Sequence, residues 1–160
     1  MSMPETIDVQ STVQRYRELF ALVRKRPLMY LVRADYSSAV AFVLGCHVAE
    51  EAVLTGFREW LVTRVGCGSN LTWWSLILRL TDPVGPKNAR ELDPESDGKA
   101  FEALFSLLDE FLALRAEPDG LQRIYRAYDD WIQLRHTHGC DATGAPSCSV
   151  VDAPRPTPGG

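Results

Sequence analysis

At 160 residues, 46% of them hydrophobic, the chain has the size of one domain and enough apolar side chain to build a core without disulfide or metal staples. Its formal net charge of -4 argues against general nucleic-acid binding, which needs a basic face. Cys46, Cys67, Cys140 and Cys148 contain no C-x-x-C pair, a pattern that suits reduced thiols in a cytoplasm rather than a secreted disulfide scaffold.

Residues 1–10 read as a short arm, without the basic segment and apolar run of a signal peptide. Ser11 or Thr12 can cap a first helix, in which Val13, Tyr16, Phe20 and Val23 recur at three- and four-residue steps. Pro27 ends it, and Arg24, Lys25 and Arg26 fill its last turn, where cations complement the helix dipole. The connector 27–37 holds Leu28, Met29, Tyr30 and Leu31, a run too apolar for a free loop, and is expected to pack onto the core. Ser37 or Ser38 opens a second helix through Val40, Phe42, Val43, Leu44, His47 and Val48, running to about Leu54. Gly45 inside it costs roughly 1 kcal/mol relative to alanine, which points to close approach of another helix. The apolar stretch 39–48 is too short to span a bilayer, so no membrane is expected.

After Gly56, Phe57, Trp60, Leu61 and Arg64 mark a third helical face, which Gly66 and Gly68 end. Asn70 or Thr72 caps a fourth helix from Trp73 to Leu80, with Trp73, Leu76, Ile77 and Leu80 on one stripe. Residues 82–94, with Pro83, Gly85, Pro86 and Pro94, read as a loop. Ser96 or Asp97 begins the strongest helix, whose face of Phe101, Leu104, Phe105, Leu108, Phe111 and Leu112 is wide enough for the central element of a bundle. Pro118-Asp119-Gly120 turns the chain into a last helix carrying Ile124, Tyr128, Trp131 and Arg135 at helical spacing. Residues 139–160, rich in Pro, Gly, Ser and Ala, read as a flexible tail. The expected architecture is all-α: a single-domain bundle of five or six helices over residues 11–138.

The residues that could carry chemistry do not assemble into a catalytic set. His136, His138, Cys140 and Cys148 are zinc-ligand types, but their spacing fits no finger. Cys46 and His47 point about 100° apart on a helix and cannot act as nucleophile and base together. No phosphate-binding glycine loop, nucleophile elbow or H-E-x-x-H motif is present, so neither an enzyme nor a cofactor is expected. The acidic pairs Glu50-Glu51, Asp109-Glu110 and Asp129-Asp130 lie on polar faces; they are either merely solvated or a negative patch for a basic partner. Arg15, Arg17, Arg24, Lys25, Arg26 and Arg33 make a local basic region that could meet phosphates, but without a recognition-helix pattern. Trp73 and Trp74 are adjacent and cannot both face one core, so Trp74 is expected at a rim, where tryptophan commonly anchors partners.

One ordered set of segments carries a resemblance: Arg26-Pro27-Leu28-Met29-Tyr30 after a first helix, an apolar helix with Phe42 and Gly45, Phe57-Arg58-Glu59-Trp60-Leu61, Trp73-Trp74-Ser75-Leu76-Ile77, and Ala103 through Phe111. Over residues 12 to about 115 this order resembles small helical bacterial proteins suspected to be immunity proteins of polymorphic toxin systems. Cys46 departs from the aromatic that many members carry after the helix-2 glycine. The resemblance implies a cytoplasmic, non-catalytic protein that binds and neutralises a cognate toxin. A basic toxin would suit the acidic pairs. Pro27 is a structural connector residue, and Arg26 and Tyr30 could act in binding or lock the connector with it, Arg26 by bonding a carboxylate and Tyr30 by filling the bundle end. Two other readings remain: a regulatory nucleic-acid binder using Arg15–Arg33, and a small-ligand protein or enzyme with a pocket near Tyr30, Trp60 and Trp73.

Overall fold

The computed structural model describes residues 9–86 and 88–137. Among them lie six α-helices and no strand, an all-α bundle; the expected tail 139–160 and most of the arm 1–10 fall outside the described residues.

Helix α1 (Val9–Lys25) begins a turn before the expected caps, because nothing at Val9 or Gln10 breaks it. Thr12 is therefore a buried helical residue rather than a cap. Pro27 ends α1 and opens a 3₁₀ turn, Pro27–Met29, whose carbonyl at Pro27 accepts from the Tyr30 and Leu31 N–H groups. Three residues per turn splay successive side chains about 120° apart, so the whole run cannot face inward. Leu31 enters the core at 7% exposure, whereas Leu28 and Met29 stand 71% and 69% exposed. Of the run Leu28–Leu31 expected to pack onto the core, only Leu31 is buried.

Helix α2 (Tyr36–Ala49) is capped by Asp35 rather than Ser37 or Ser38; its carboxylate accepts from the Ser38 N–H at 2.8 Å. The Tyr36 N–H donates to both oxygens of Asp97 at 3.2 Å, and its hydroxyl donates to the Trp74 carbonyl at 2.7 Å. The α2 helix stops at Ala49, short of Leu54, where Glu50 turns extended and a 3₁₀ turn, Glu51–Val53, follows. Buried Arg115 holds that turn, donating from Nη2 to the Ala52 carbonyl at 3.0 Å. The chain then passes Gly56 at φ 86, in the left-handed region, where an added Cβ would also lie 3.0 Å from Leu121 Cδ1.

Helices α3 (Phe57–Val65) and α4 (Trp73–Thr81) follow, α4 capped by the Thr72 hydroxyl, which accepts from the Ser75 N–H. Helix α5 (Pro94–Arg115) starts at Asp93-Pro94 instead of Ser96 or Asp97. Asp93 accepts from the Ser96 N–H at 2.9 Å, and proline in the first turn has no N–H to leave unsatisfied. Helix α6 (Gly120–Thr137) closes the described chain.

The core is centred on α5. Ala100, Phe101, Leu104, Phe105, Leu107, Leu108, Phe111 and Leu112 are buried there, and α1, α2, α4 and α6 all pack on this helix. Phe111 lies 4.9 Å from Phe57 and 5.8 Å from Trp60, centroid to centroid, and Trp73 completes the cluster 5.7 Å from Phe57. Gly45 corrects a second expectation. It faces outward on α2, and a Cβ added there would meet nothing within 4 Å, so no helix of this fold requires it.

Replacing Phe111 with alanine is expected to lower unfolding stability by about 3–5 kcal/mol in urea titration, as a large core deletion does. Gly45→Ala is expected to raise it by up to about 1 kcal/mol, since the helix gains propensity without a clash; a decrease would contradict the open surroundings of Gly45.

Candidate functional site

The acidic pairs part company in the fold. Asp109 takes a two-point contact from Arg17, Nε to Oδ1 at 2.6 Å and Nη2 to Oδ2 at 3.2 Å, which ties α1 to α5. Glu110, one residue on, points to a different neighbour and pairs with Arg64 of α3 at 2.7 Å. The Arg64 guanidinium also lies 4.4 Å above the Trp60 ring. Arg24 pairs with Glu102 at 2.8 Å. These carboxylates link neighbouring helices, and Arg17 and Arg24 of the basic region are each paired within the fold. Glu50 and Glu51, after α2, and Asp129 and Asp130, exposed on α6, form no ion pair among the described residues. Trp74 sits half-buried, edge-on to Trp73 at 5.3 Å, with its carbonyl taken by Tyr36.

Burial pushes the Cys46 thiol up, away from a reactive thiolate, and the buried His47 Nδ1 has no hydrogen-bond partner. No group of three or more metal-ligand side chains occurs among the described residues; His138, Cys140 and Cys148 lie outside them. The space near Trp60 and Trp73 is filled by Phe57 and Phe111. A shallow groove of about 420 Å³ is lined by Arg64, Leu80, Thr81, Ala103, Ser106 and Leu107, and another of about 300 Å³ by Ser69, Tyr128, Trp131, Ile132, Arg135 and His136. Neither lining includes a carboxylate or a thiol; a smaller cavity of about 130 Å³ holds Asp82, Ser96 and Lys99 in its wall, and another of about 110 Å³ holds Arg17 and Asp109.

What the surface does present is the connector. Leu28, Met29 and Val32 project into solvent, Val32 at 97% exposure, and Tyr30 is partly exposed with its ring 6.4 Å from Phe42. Arg26 is exposed and forms no ion pair among the described residues, the Tyr30 ring lies edge-on to Phe42, and Pro27 opens the turn. Lys25 and Arg26 precede the apolar tip, and Arg33, paired with Asp35 at 2.7 Å, follows it. Exposed leucine, methionine and valine thus stand next in the chain to arginines; methionine adapts to irregular pockets, and arginine is enriched at interfaces. Sequence reasoning had the residues but took their apolar run for core; the signal available was Pro27, which sets a turn too tight for four inward side chains.

The Arg17 hydrogen bonds hold the Asp109 carboxyl below the usual carboxylate range, against the opposing effect of burial. A carboxyl depressed in the folded state contributes stability above its unfolded pKa of about 3.9 and loses it as pH falls through the folded value. The protein is therefore expected to lose stability below about pH 4, and Asp109→Asn to lose less over the same interval. The pair is half exposed, so its share at neutral pH is about 0.2–1 kcal/mol. Parallel acid-unfolding curves for the two proteins would show that the contact contributes nothing.

Compared with protein families, curated proteins and solved structures, the chain matches none.

Proposed function

We propose that the protein is a non-catalytic, partner-binding inhibitor of the immunity type, a cytoplasmic bacterial protein that neutralises a cognate toxin through the exposed connector Leu28–Val32. One observation carries this reading: the sharpest element of the resemblance, Arg26-Pro27-Leu28-Met29-Tyr30, falls on the residues that the fold leaves projecting into solvent. Apolar side chains held this far out on a 3₁₀ turn contribute nothing to the core, and a soluble protein normally keeps such groups covered unless they meet a partner. The neighbouring arginines suit the rim of such a contact. No single helix among the described residues is long and apolar enough to cross a membrane. Of the acidic residues first considered for a basic partner, Glu50, Glu51, Asp129 and Asp130 form no ion pair among the described residues.

The test is co-expression with the polypeptide encoded beside this chain, read as growth. The wild type is expected to protect, and Leu28→Asp with Met29→Asp to lose protection and weaken binding at least about 30-fold, the effect of removing an anchor worth ~2 kcal/mol. Circular dichroism and melting temperature should stay unchanged, because both side chains lie outside the core. Full protection by the double variant would remove the connector from the mechanism.

A further inference from the structure

The groove on α6 is built as a ladder of flat side chains. Tyr128 and Trp131 stack with centroids 5.9 Å apart and 21° between planes, and the Arg135 guanidinium lies 4.9 Å over the Trp131 ring. The three fall on one side of α6, at steps of three and four residues. With Ser69, Ile132 and His136 they line about 300 Å³ of open groove, and both rings are only half-buried. Arg135 forms no ion pair among the described residues. Asp129 is exposed, equally unpaired among them, and two turns before His136 on the same side of α6, so it borders the groove. At 1.5 Å per residue, Trp131 lies about 6 Å and Asp129 about 9 Å from Arg135 along the helix axis.

Beyond the described residues the sequence runs on to Asp152-Ala153-Pro154-Arg155-Pro156-Thr157-Pro158. Three prolines in this short span favour the polyproline II conformation, which is cheap to order and is commonly received by aromatic-lined grooves. At 3.1 Å per residue in that conformation, Pro154 stands about 6 Å and Arg155 about 9 Å from Asp152. The two spacings match. Laid antiparallel to α6, the segment sets Asp152 at Arg135, Pro154 level with the Trp131 ring and Arg155 at Asp129, so that each charge meets its opposite. Laid parallel, it would set Asp152 on Asp129 and Arg155 on Arg135. Antiparallel is also the direction of a chain that leaves the C-terminal end of α6 and folds back. The 16 residues between Thr137 and Pro154 would span about 22 Å as a coil, against roughly 10 Å from His136 back to Asp129. We propose that residues 152–158 dock in the α6 groove of their own chain, the prolines against Trp131 and Tyr128 and the two ion pairs setting the direction. This contact does not depend on the toxin-binding reading, which rests on the connector.

Nuclear Overhauser contacts in the full chain test it. Contacts from the Trp131 ring to the Pro154 and Pro156 rings are expected, equally strong at about 50 and about 500 μM, because an intramolecular contact does not dilute. Asp129→Arg should remove them while keeping the circular dichroism and melting temperature of the wild type, since Asp129 is exposed. Adding Arg155→Asp to that variant should bring them back. A peptide of residues 150–158 should bind the Pro154→Ser, Pro156→Ser chain at least about fivefold more tightly than the wild type, whose own segment competes at an effective concentration of about 1 mM. Trp131 without a contact to either proline, contacts indifferent to Asp129→Arg, equal affinities of the peptide for the two chains, or contacts that fade on dilution and so assign the groove to a second copy would overturn the proposal.

Discussion

The burial of α5 is the constraint on which the other elements depend. Its apolar face is wide because α1, α2, α4 and α6 all lie against it, and Phe111 draws α3 in through Phe57 and Trp60. The polar residues of the same helix then fix where each neighbour sits. Asp97 receives the first N–H of α2, Glu102 and Asp109 take cations from α1, Glu110 takes one from α3, and Arg115 holds the turn after α2 through the Ala52 carbonyl. Hydrophobic burial supplies the drive, and the directional bonds select the arrangement. A cation at the end of α5 is also well placed for the helix dipole, which helps a buried arginine without a carboxylate partner to be tolerated there.

This division of labour decides which charges are left unpaired at the surface. Acidic residues that look alike in the sequence have different fates, because adjacent helical positions point about 100° apart and meet different neighbours. Asp109 and Glu110 are absorbed by the frame, while Glu50, Glu51, Asp129 and Asp130 remain outside it. The apolar groups divide in a similar way. Leu31 is drawn into the core, and Leu28, Met29 and Val32 are carried away from it by the turn that Pro27 starts.

The sequence made the periodic elements legible. The stripes of α3, α4, α5 and α6 follow from hydrophobic repeats, and the all-α architecture follows from them. The helix starts were less so, for one reason repeated twice. At Asp35 and again at Asp93, the aspartate caps the helix and the serine three residues later donates its N–H, while sequence reasoning placed the starts at Ser37 or Ser38 and at Ser96 or Asp97. Both residue types cap well, and only the backbone turn chooses between them. Two features were beyond a one-dimensional reading: the cation each carboxylate would meet, and the empty surroundings of Gly45. Each depends on which helices become neighbours, a property of packing rather than spacing.

The central claim is that this protein acts through the connector on another protein. Hydrogen–deuterium exchange of the full chain, alone and with the polypeptide encoded beside it, tests that claim most directly, because exposed backbone at the connector exchanges quickly until something covers it. The account predicts slowed exchange over residues 26–34 on mixing, with α6 around Asp129 and Asp130 changed little. Protection confined to α6, or no protection anywhere, would contradict it.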